Sequence, residues 1–287
     1  MTDTLDVAAV QFEARALSGP EDFAAQVDAA LDAAAGARLV VFPELMTTGF
    51  GTLAAGWRGR DLAAYFAEVA EHTDLYLEVF GAAARARDQV VLAGSHLVAA
   101  PGGFLNVAHL FHPDGRVVRH EKTLLFPAER QWRSIEGERL TTAEVDGVTV
   151  GFATCYEAEI PEVTTALARR GAEVLLVPSA TFTEAGFHRV RHCAAARCIE
   201  NQVYAVHAST FSTGLEPLVQ TWARSSVLGP CDAGFPPDGI LAEAKENVPD
   251  VITARLDLAL LQENRRSGAA PTVLDRARRA DLFASWG

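Results

Sequence analysis

Residues 147–162 have the sequence GVTVGFATCYEAEIPE. A β-type apolar run ends at the thiol of Cys155, and Pro161 stands where a following helix would begin. This order of strand, nucleophile and helix predicts an elbow, which exposes the thiol and sets the next backbone N–H beside a bond under attack. A free cysteine is more often a small buried side chain, so a packing role is the competing interpretation of Cys155.

The segments around this elbow alternate between strand-like and helix-like patterns. Residues 5–12 (LDVAAVQF) and 37–45 (ARLVVFPEL) predict strands. Residues 104–122 (FLNVAHLFHPDGRVVRHEK) predict a hairpin around a Pro-Asp-Gly turn. Because no linker, charge run or repeat divides the chain, we predict one α/β domain whose mixed sheets are covered by more than one layer of helices.

Composition and charge exclude several classes of partner. The chain has 287 residues, with 25 basic side chains, 37 acidic ones and a formal charge of −12. This balance argues against nucleic acid or an anionic membrane surface as a partner, because both require a basic face. Residues 1–12 do not resemble a secretory signal, and no apolar run approaches the roughly 20 residues of a membrane span. Four scattered cysteines do not make a disulfide scaffold, so we expect a cytoplasmic protein.

Two further ionisable residues stand at predicted strand ends, where α/β proteins often place reactive groups. Glu44 follows the apolar run LVVFP, and a carboxylate is costly to bury there unless it is paired or its pKa is raised. Lys122 ends the predicted hairpin. Each also fits a structural role when taken alone, Glu44 as a helix cap or loop carboxylate and Lys122 as a solvated strand end.

Four motifs occur in the order found in the nitrilase (carbon–nitrogen hydrolase) superfamily, which the chain resembles. They are FPEL around Glu44, HEKTLLFPAERQW around Lys122, GFATCYEAEIPE around Cys155, and RVRHCAAARCIENQVY over residues 189–204. The resemblance implies a four-layer α-β-β-α sandwich. It covers most of the chain, from VAAVQF at residues 7–12 to about VITARLD at residues 251–257. We assign the carbon–nitrogen hydrolase domain to residues 1–264.

The resemblance also implies a role for each site residue. Cys155 would be the nucleophile, Glu44 the general base, and Lys122 the cation that holds the developing oxyanion, with the backbone N–H of Tyr156 as a second donor. Glu129, seven residues after Lys122, would hold the substrate, orient the lysine or shuttle a proton. None of these steps needs a metal or an organic cofactor. Glu157 stands where the family often has aspartate.

The expected reaction is hydrolysis of a small carboxamide to an acid and ammonia through a thioester. Nitrile or N-carbamoyl amino acid hydrolysis remains open, and so does a non-catalytic member that binds a metabolite or a partner protein. Four histidines on or near the hairpin suggest a metal, but unrelated roles are favoured because no other ligand spacing supports one. These are His96, His109, His112 and His120.

Two groups of basic residues remain outside these roles. One lies on a predicted helix, where pairing with local acids or exposure to solvent is favoured over recognition of a substrate carboxylate. Its members are Arg189, Arg191, His192 and Arg197. The other is the basic tail of residues 265–287, with five arginines against two aspartates. We predict that this tail lies at a subunit interface of a homo-oligomer, a dimer or larger.

Overall fold

The computed structural model describes residues 3–212, 214–215 and 221–286. Residues 1 and 2, at the start of the predicted hydrolase domain, and residue 287, at the end of the predicted basic tail, lie outside the described residues. The strands are β1 Thr4–Glu13, β2 Leu39–Val41, β3 Val90–Ala100, β4 Gly103–Phe111, β5 Val117–Glu121, β6 Ser134–Ile135, β7 Thr142–Val145, β8 Val148–Phe152, β9 Val174–Ala180, β10 Tyr204–Phe211, β11 Ser226–Leu228, β12 Ile240–Glu243 and β13 Asp250–Asp257. The helices are α1 Pro20–Ala33, α2 Leu62–Glu71, α3 Thr73–Arg87, α4 Pro127–Gln131, α5 Tyr156–Glu159, α6 Pro161–Arg169, α7 Glu184–Asn201, α8 Leu258–Ser267, α9 Thr272–Arg278 and α10 Ala280–Ala284, with a 3₁₀ helix at Met46–Leu53.

The strands form two sheets that meet at β1. One contains β5-β4-β3-β2-β1-β13, with β6 beside β4, and the other contains β7-β8-β9-β10-β11-β12. Residues 4–11 of β1 pair antiparallel with β13, whereas Phe12 and Glu13 pair in parallel with β10. The predicted hairpin is present as β4 and β5, which pair antiparallel from Phe111–Val117 to Val107–Glu121.

Three apolar cores separate four layers. The central core joins side chains of both sheets, such as Val7 and Leu92 from one and Val150 and Leu176 from the other. A second core packs α1, α2 and α3 on the outer face of the first sheet, and a third packs α6 and α7 on the second sheet. The predicted α-β-β-α sandwich is therefore confirmed. Among the helices of the described ranges, none is both long and apolar enough to cross a membrane.

Strand direction explains why distant residues meet at one end of the sandwich. From β8 through β9, β10, β1 and β2 to β3, neighbouring strands are parallel, and two antiparallel pairings then return β5 to the same direction. The carboxyl ends of β2, β5, β8 and β9 consequently lie at the same end. Glu44, Lys122 and Cys155 follow the first three of these strands, and Ala180 ends the fourth.

The basic tail contacts the helical layer of its own chain. The predicted boundary at residue 264 falls inside α8, which continues to Ser267. Arg276 donates to the side chains of Asn201 and Thr165, at 2.9 and 2.8 Å, and Arg265 donates to the Gln202 carbonyl at 2.8 Å. These contacts place the tail on the α6 and α7 layer. Its contact with a neighbouring subunit, and the oligomer itself, stay predictions.

Candidate active site

The four side chains predicted to act together line one cavity of about 350 Å³. They are Glu44, Lys122, Glu129 and Cys155. All four are buried in the folded chain. Tyr156 follows Cys155 as the first residue of α5, where a backbone N–H has no acceptor within its own helix.

Two residues of the second sheet hold Glu44, Ala180 at the end of β9 and Thr210 in β10. Its Oε2 accepts a 2.9 Å hydrogen bond from the N–H of Ala180, and its own carbonyl accepts a 2.6 Å bond from the Thr210 hydroxyl. Gly94 lies against the preceding Pro43 with a φ of +59°, and a Cβ built there would stand 1.9 Å from the Pro43 carbonyl oxygen. Only glycine fits this approach of β3 to the chain that leads into Glu44.

Lys122 lies between two carboxylates. Its Nζ is 2.7 Å from Oε1 of Glu44 and 2.5 Å from Oε2 of Glu129. Glu129 is held in turn because the same Oε2 accepts a 2.8 Å hydrogen bond from the Phe126 N–H, at the start of α4. A buried ammonium paired in this way keeps its charge, so Lys122 presents a fixed cation to the cavity.

Asn106 links the carboxylates of Glu44 and Glu129. Its Nδ2 donates to Oε1 of Glu44 and to Oε1 of Glu129, both at 3.0 Å. Its backbone carbonyl also accepts a 2.9 Å bond from the N–H of Lys122. The sequence interpretation missed this residue. The available signal was a polar side chain inside the apolar strand FLNVAHLF, which is costly to bury without partners.

Cys155 occupies the predicted elbow. The strand β8 ends at Phe152, α5 begins at Tyr156, and Cys155 between them has a φ of 49° and a ψ of −104°. A non-glycine residue seldom adopts this backbone region, and such strain commonly marks a functional turn. The thiol lies 3.8 Å from the carbonyl of Ala180, whose N–H bonds Glu44. One residue at the end of β9 therefore orients both side chains.

Burial and charge set the protonation of the three central groups. Desolvation raises the pKa of Glu44, and the Glu129 charge adds to this, while the attraction of Lys122 opposes it. Burial by itself lowers the pKa of Lys122, but the charges of Glu129 and Glu44 reverse this and hold it well above its usual value. Burial and the charge of Glu44 raise the pKa of the Cys155 thiol. The resting site thus contains a thiol, an ammonium and a carboxyl group that gains a proton more readily than usual.

Glu157 joins the two chain segments that carry Lys122 and Cys155. Its Oε1 accepts bonds from the N–H and the hydroxyl of Thr123, at 2.7 and 2.6 Å. Its Oε2 accepts a 2.8 Å bond from the N–H of Thr154 and lies 3.0 Å from Nε2 of His120. From the sequence we noted Glu157 only as a replacement for aspartate, and its structural role depends on partners more than 30 residues away in the chain.

His96, His120 and the arginines of the α7 patch each have partners within the described part of the chain. The ring of His96 lies 2.9 Å from the hydroxyls of both Thr47 and Thr73, and His120 faces Glu157, so these two histidines belong to separate contacts. Within the described ranges, no group of three or more histidine, cysteine or acidic side chains is arranged to hold a metal ion. The arginines of the α7 patch pair with acids, as expected: Arg189 with Glu159, Arg191 with Glu243 and Arg197 with Glu200.

Comparison with known proteins gives relatives across most of the chain. The probable hydrolase YhcX of Bacillus subtilis is 31% identical over 277 residues, which are 95% of this chain and 53% of that protein. An (R)-stereoselective amidase from a Pseudomonas species is 37% identical over 183 residues, covering 63% of this chain and 62% of the amidase. The chain thus spans less than two thirds of the length of these two relatives.

Solved structures and a family model agree with these relatives. A double mutant of the amidase from Nesterenkonia sp. AN1, in complex with acrylamide, superposes with a TM-score of 0.75 at 25% identity, covering 100% of this chain and 98% of that one. The same amidase has been solved with butyramide, with a TM-score of 0.74. The model of the carbon–nitrogen hydrolase family matches residues 6–266. The chain therefore belongs to the carbon–nitrogen hydrolase family, as its resemblance to the nitrilase (carbon–nitrogen hydrolase) superfamily predicted.

Proposed function

We propose that the protein hydrolyses a small carboxamide to a carboxylic acid and ammonia, through a thioester on Cys155. The observation that carries this proposal is the grouping of Cys155, Glu44 and Lys122 on one cavity, with Lys122 Nζ 2.7 Å from Glu44 and the thiol at a strained elbow. The amidases among its relatives support the choice of an amide.

The first half of the reaction forms the thioester. Glu44 takes the proton of the Cys155 thiol as the sulfur attacks the amide carbon, and the carbonyl oxygen becomes an oxyanion between Lys122 Nζ and the N–H of Tyr156. The raised pKa of Glu44 suits this step, because a base of ordinary carboxyl pKa would hold a thiol proton poorly. The C–N bond then breaks, Glu44 returns its proton to the leaving nitrogen, and ammonia departs.

The second half releases the acid. Glu44, again a carboxylate, takes a proton from a water molecule that attacks the thioester carbon, and the same two donors hold the second oxyanion. The C–S bond breaks and the proton passes from Glu44 to sulfur, which restores the thiol. Glu129 and Asn106 act through the others, because they fix Lys122 and Glu44 at hydrogen-bond distance.

The proposal is tested by ammonia release from a panel of carboxamides, nitriles and N-carbamoyl amino acids. We expect carboxamides to be hydrolysed with the highest kcat/KM and the acyl group to be trapped as a hydroxamate when hydroxylamine is present. Cys155→Ala should lose roughly 10³-fold or more of this activity while remaining folded. Cys231→Ala is the matched control, since Cys231 is an exposed cysteine that does not line the cavity.

Each alternative has its own outcome in this panel. Faster turnover of nitriles or N-carbamoyl compounds than of any carboxamide would replace the amide assignment. Absence of turnover across the panel, with Cys155→Ala indistinguishable from wild type, would indicate the binding role instead.

A further inference from the structure

The cavity beside Cys155 has an aromatic wall. Phe126, Trp132 and Phe182 line it, with ring centroids 6.5 Å apart for Phe126 and Phe182 and 5.7 Å apart for Trp132 and Phe182. The acyl group of an amide substrate bound in this cavity would contact these rings. Contact of an apolar acyl group with them is favourable, because it removes apolar surface from water.

One ion pair supplies the remaining charge of the cavity. Among the described residues that line it, the charged side chains beyond Glu44, Lys122 and Glu129 are Arg189 and Glu159. Arg189 Nε lies 2.7 Å from Oε2 of Glu159, and their side chains are 47% and 10% exposed. The guanidinium carbon of Arg189 also stands 5.7 Å from the centre of the Phe126 ring. The pair therefore joins the aromatic wall to the helix that starts beside Cys155.

The backbone under Glu159 is fixed independently of this pair. Glu159 ends α5, four residues after Cys155. Arg197 on α7 donates to the carbonyls of Ala158 and Glu159, at 3.1 and 2.9 Å. Because α7 carries both arginines, it holds the end of α5 with one and covers the Glu159 carboxylate with the other. Removal of Arg189 would thus leave the Glu159 carboxylate in place without its ion-pair partner.

We infer that the site selects uncharged carboxamides with an apolar acyl group, and that the Arg189–Glu159 pair sets this preference by cancelling the two charges that line the cavity beside the aromatic wall. The inference rests on the proposed function. A substrate carboxylate that seeks Arg189 must displace Glu159, and a substrate ammonium that seeks Glu159 must displace Arg189. A charged group that displaces neither loses its water beside aromatic rings, which is unfavourable.

Three amides of similar size and different charge test the inference: butyramide, which is neutral, succinamate, which is an anion, and 4-aminobutyramide, which is a cation. We expect wild-type kcat/KM to be higher for butyramide than for either charged amide, by on the order of tenfold or more. Calorimetric binding of the same three amides to Cys155→Ala should show the same order without any turnover.

Single substitutions in the pair should move the preference in opposite directions. Glu159→Gln leaves Arg189 uncompensated, so the ratio of succinamate to butyramide should rise roughly tenfold, in kcat/KM and in binding to the same variant combined with Cys155→Ala. Arg189→Gln leaves Glu159 uncompensated and should instead raise the ratio of 4-aminobutyramide to butyramide. Glu162→Gln is the matched control, because Glu162 is an exposed glutamate on α6 outside the cavity lining, and both ratios should stay at their wild-type values.

The outcomes separate this inference from the proposed function. Wild-type protein that binds and hydrolyses succinamate or 4-aminobutyramide as well as butyramide would overturn the inference while leaving amide hydrolysis intact. Ratios unchanged by both Glu159→Gln and Arg189→Gln would also overturn it. If none of the three amides is hydrolysed but butyramide still binds most tightly, the proposed function is overturned and the selection of uncharged amides is supported.

Discussion

Glu157 and His120 form a fully buried contact, with Oε2 of Glu157 3.0 Å from Nε2 of His120, between the segments that carry the nucleophile and the lysine. Burial alone would raise the pKa of Glu157, but its electrostatic interaction with His120 and its hydrogen bonds with His120 and Thr123 outweigh this effect, and the pKa lies below its ordinary value. Glu157 is therefore an ionised link between two parts of the site.

The first prediction follows from this link. Glu157→Gln replaces one acceptor oxygen by an NH2 group, which donates and does not accept. The glutamine side chain can therefore no longer accept hydrogen bonds from both Thr123 and Thr154. We expect a loss of about 1–3 kcal/mol in the free energy of unfolding, and a kcat on the order of tenfold lower with KM little changed. Denaturant unfolding and steady-state kinetics measure these effects.

Two variants complete this comparison. Glu157→Asp keeps both oxygens on a shorter side chain and should retain more kcat than Glu157→Gln. Glu162→Gln, on the exposed start of α6, should match wild type in both measurements. A Glu157→Gln enzyme with wild-type stability and kcat would show that the link does not position the site.

The second prediction concerns the acid limb of the pH–rate profile. Glu44 must be a carboxylate to accept the thiol proton, so kcat/KM should fall as the pH falls through the raised pKa of Glu44, above the ordinary value of 4.5. The charge of Glu129 contributes to this raised pKa. Glu129→Gln should therefore move the acid limb to lower pH while also lowering the maximal rate. If the acid limb does not move in Glu129→Gln, a group other than Glu44 is responsible for it.

The third prediction uses Asn106 to move the same limb in the opposite direction. The Nδ2 group of Asn106 stabilises the ionised form of Glu44, and Asn106→Leu removes this donor at similar volume. Among the described residues, Oδ1 of Asn106 has no hydrogen-bond partner, so Asn106→Leu breaks no hydrogen bond to that oxygen. We expect the acid limb to rise in pH, measured on kcat/KM. A shift downward, as with Glu129→Gln, would contradict this assignment.

The fourth prediction concerns the turn that leads into Glu44. Gly94→Ala places a Cβ 1.9 Å from the Pro43 carbonyl oxygen at a positive φ, so β3 and the Glu44 turn must separate. We expect about 1–3 kcal/mol less stability and a reduced kcat. Gly81→Ala in α3 is the control, because its Cβ would find its nearest neighbour at 3.6 Å and alanine favours a helix. Equal stability of the two variants would contradict the role of Gly94.

The sequence by itself determined the family, the layered fold and the identity of Glu44, Lys122, Glu129 and Cys155 as candidates. Each of these residues stands in a local pattern, a strand end or a short motif, that is visible within about ten residues. The elbow was likewise predictable, because strand, thiol and Pro161 follow one another in the chain.

Only the tertiary structure decided which polar groups support these candidates. Asn106 and Glu44 are 62 residues apart in the chain, His120 and Glu157 are 37 apart, and Arg189 and Glu159 are 30 apart. Their contacts depend on the order and direction of strands and on the placement of α7 against α5, which no local pattern records. Hydrogen bonds and ion pairs act over about 3 Å, so they are specified only once packing has brought distant segments together.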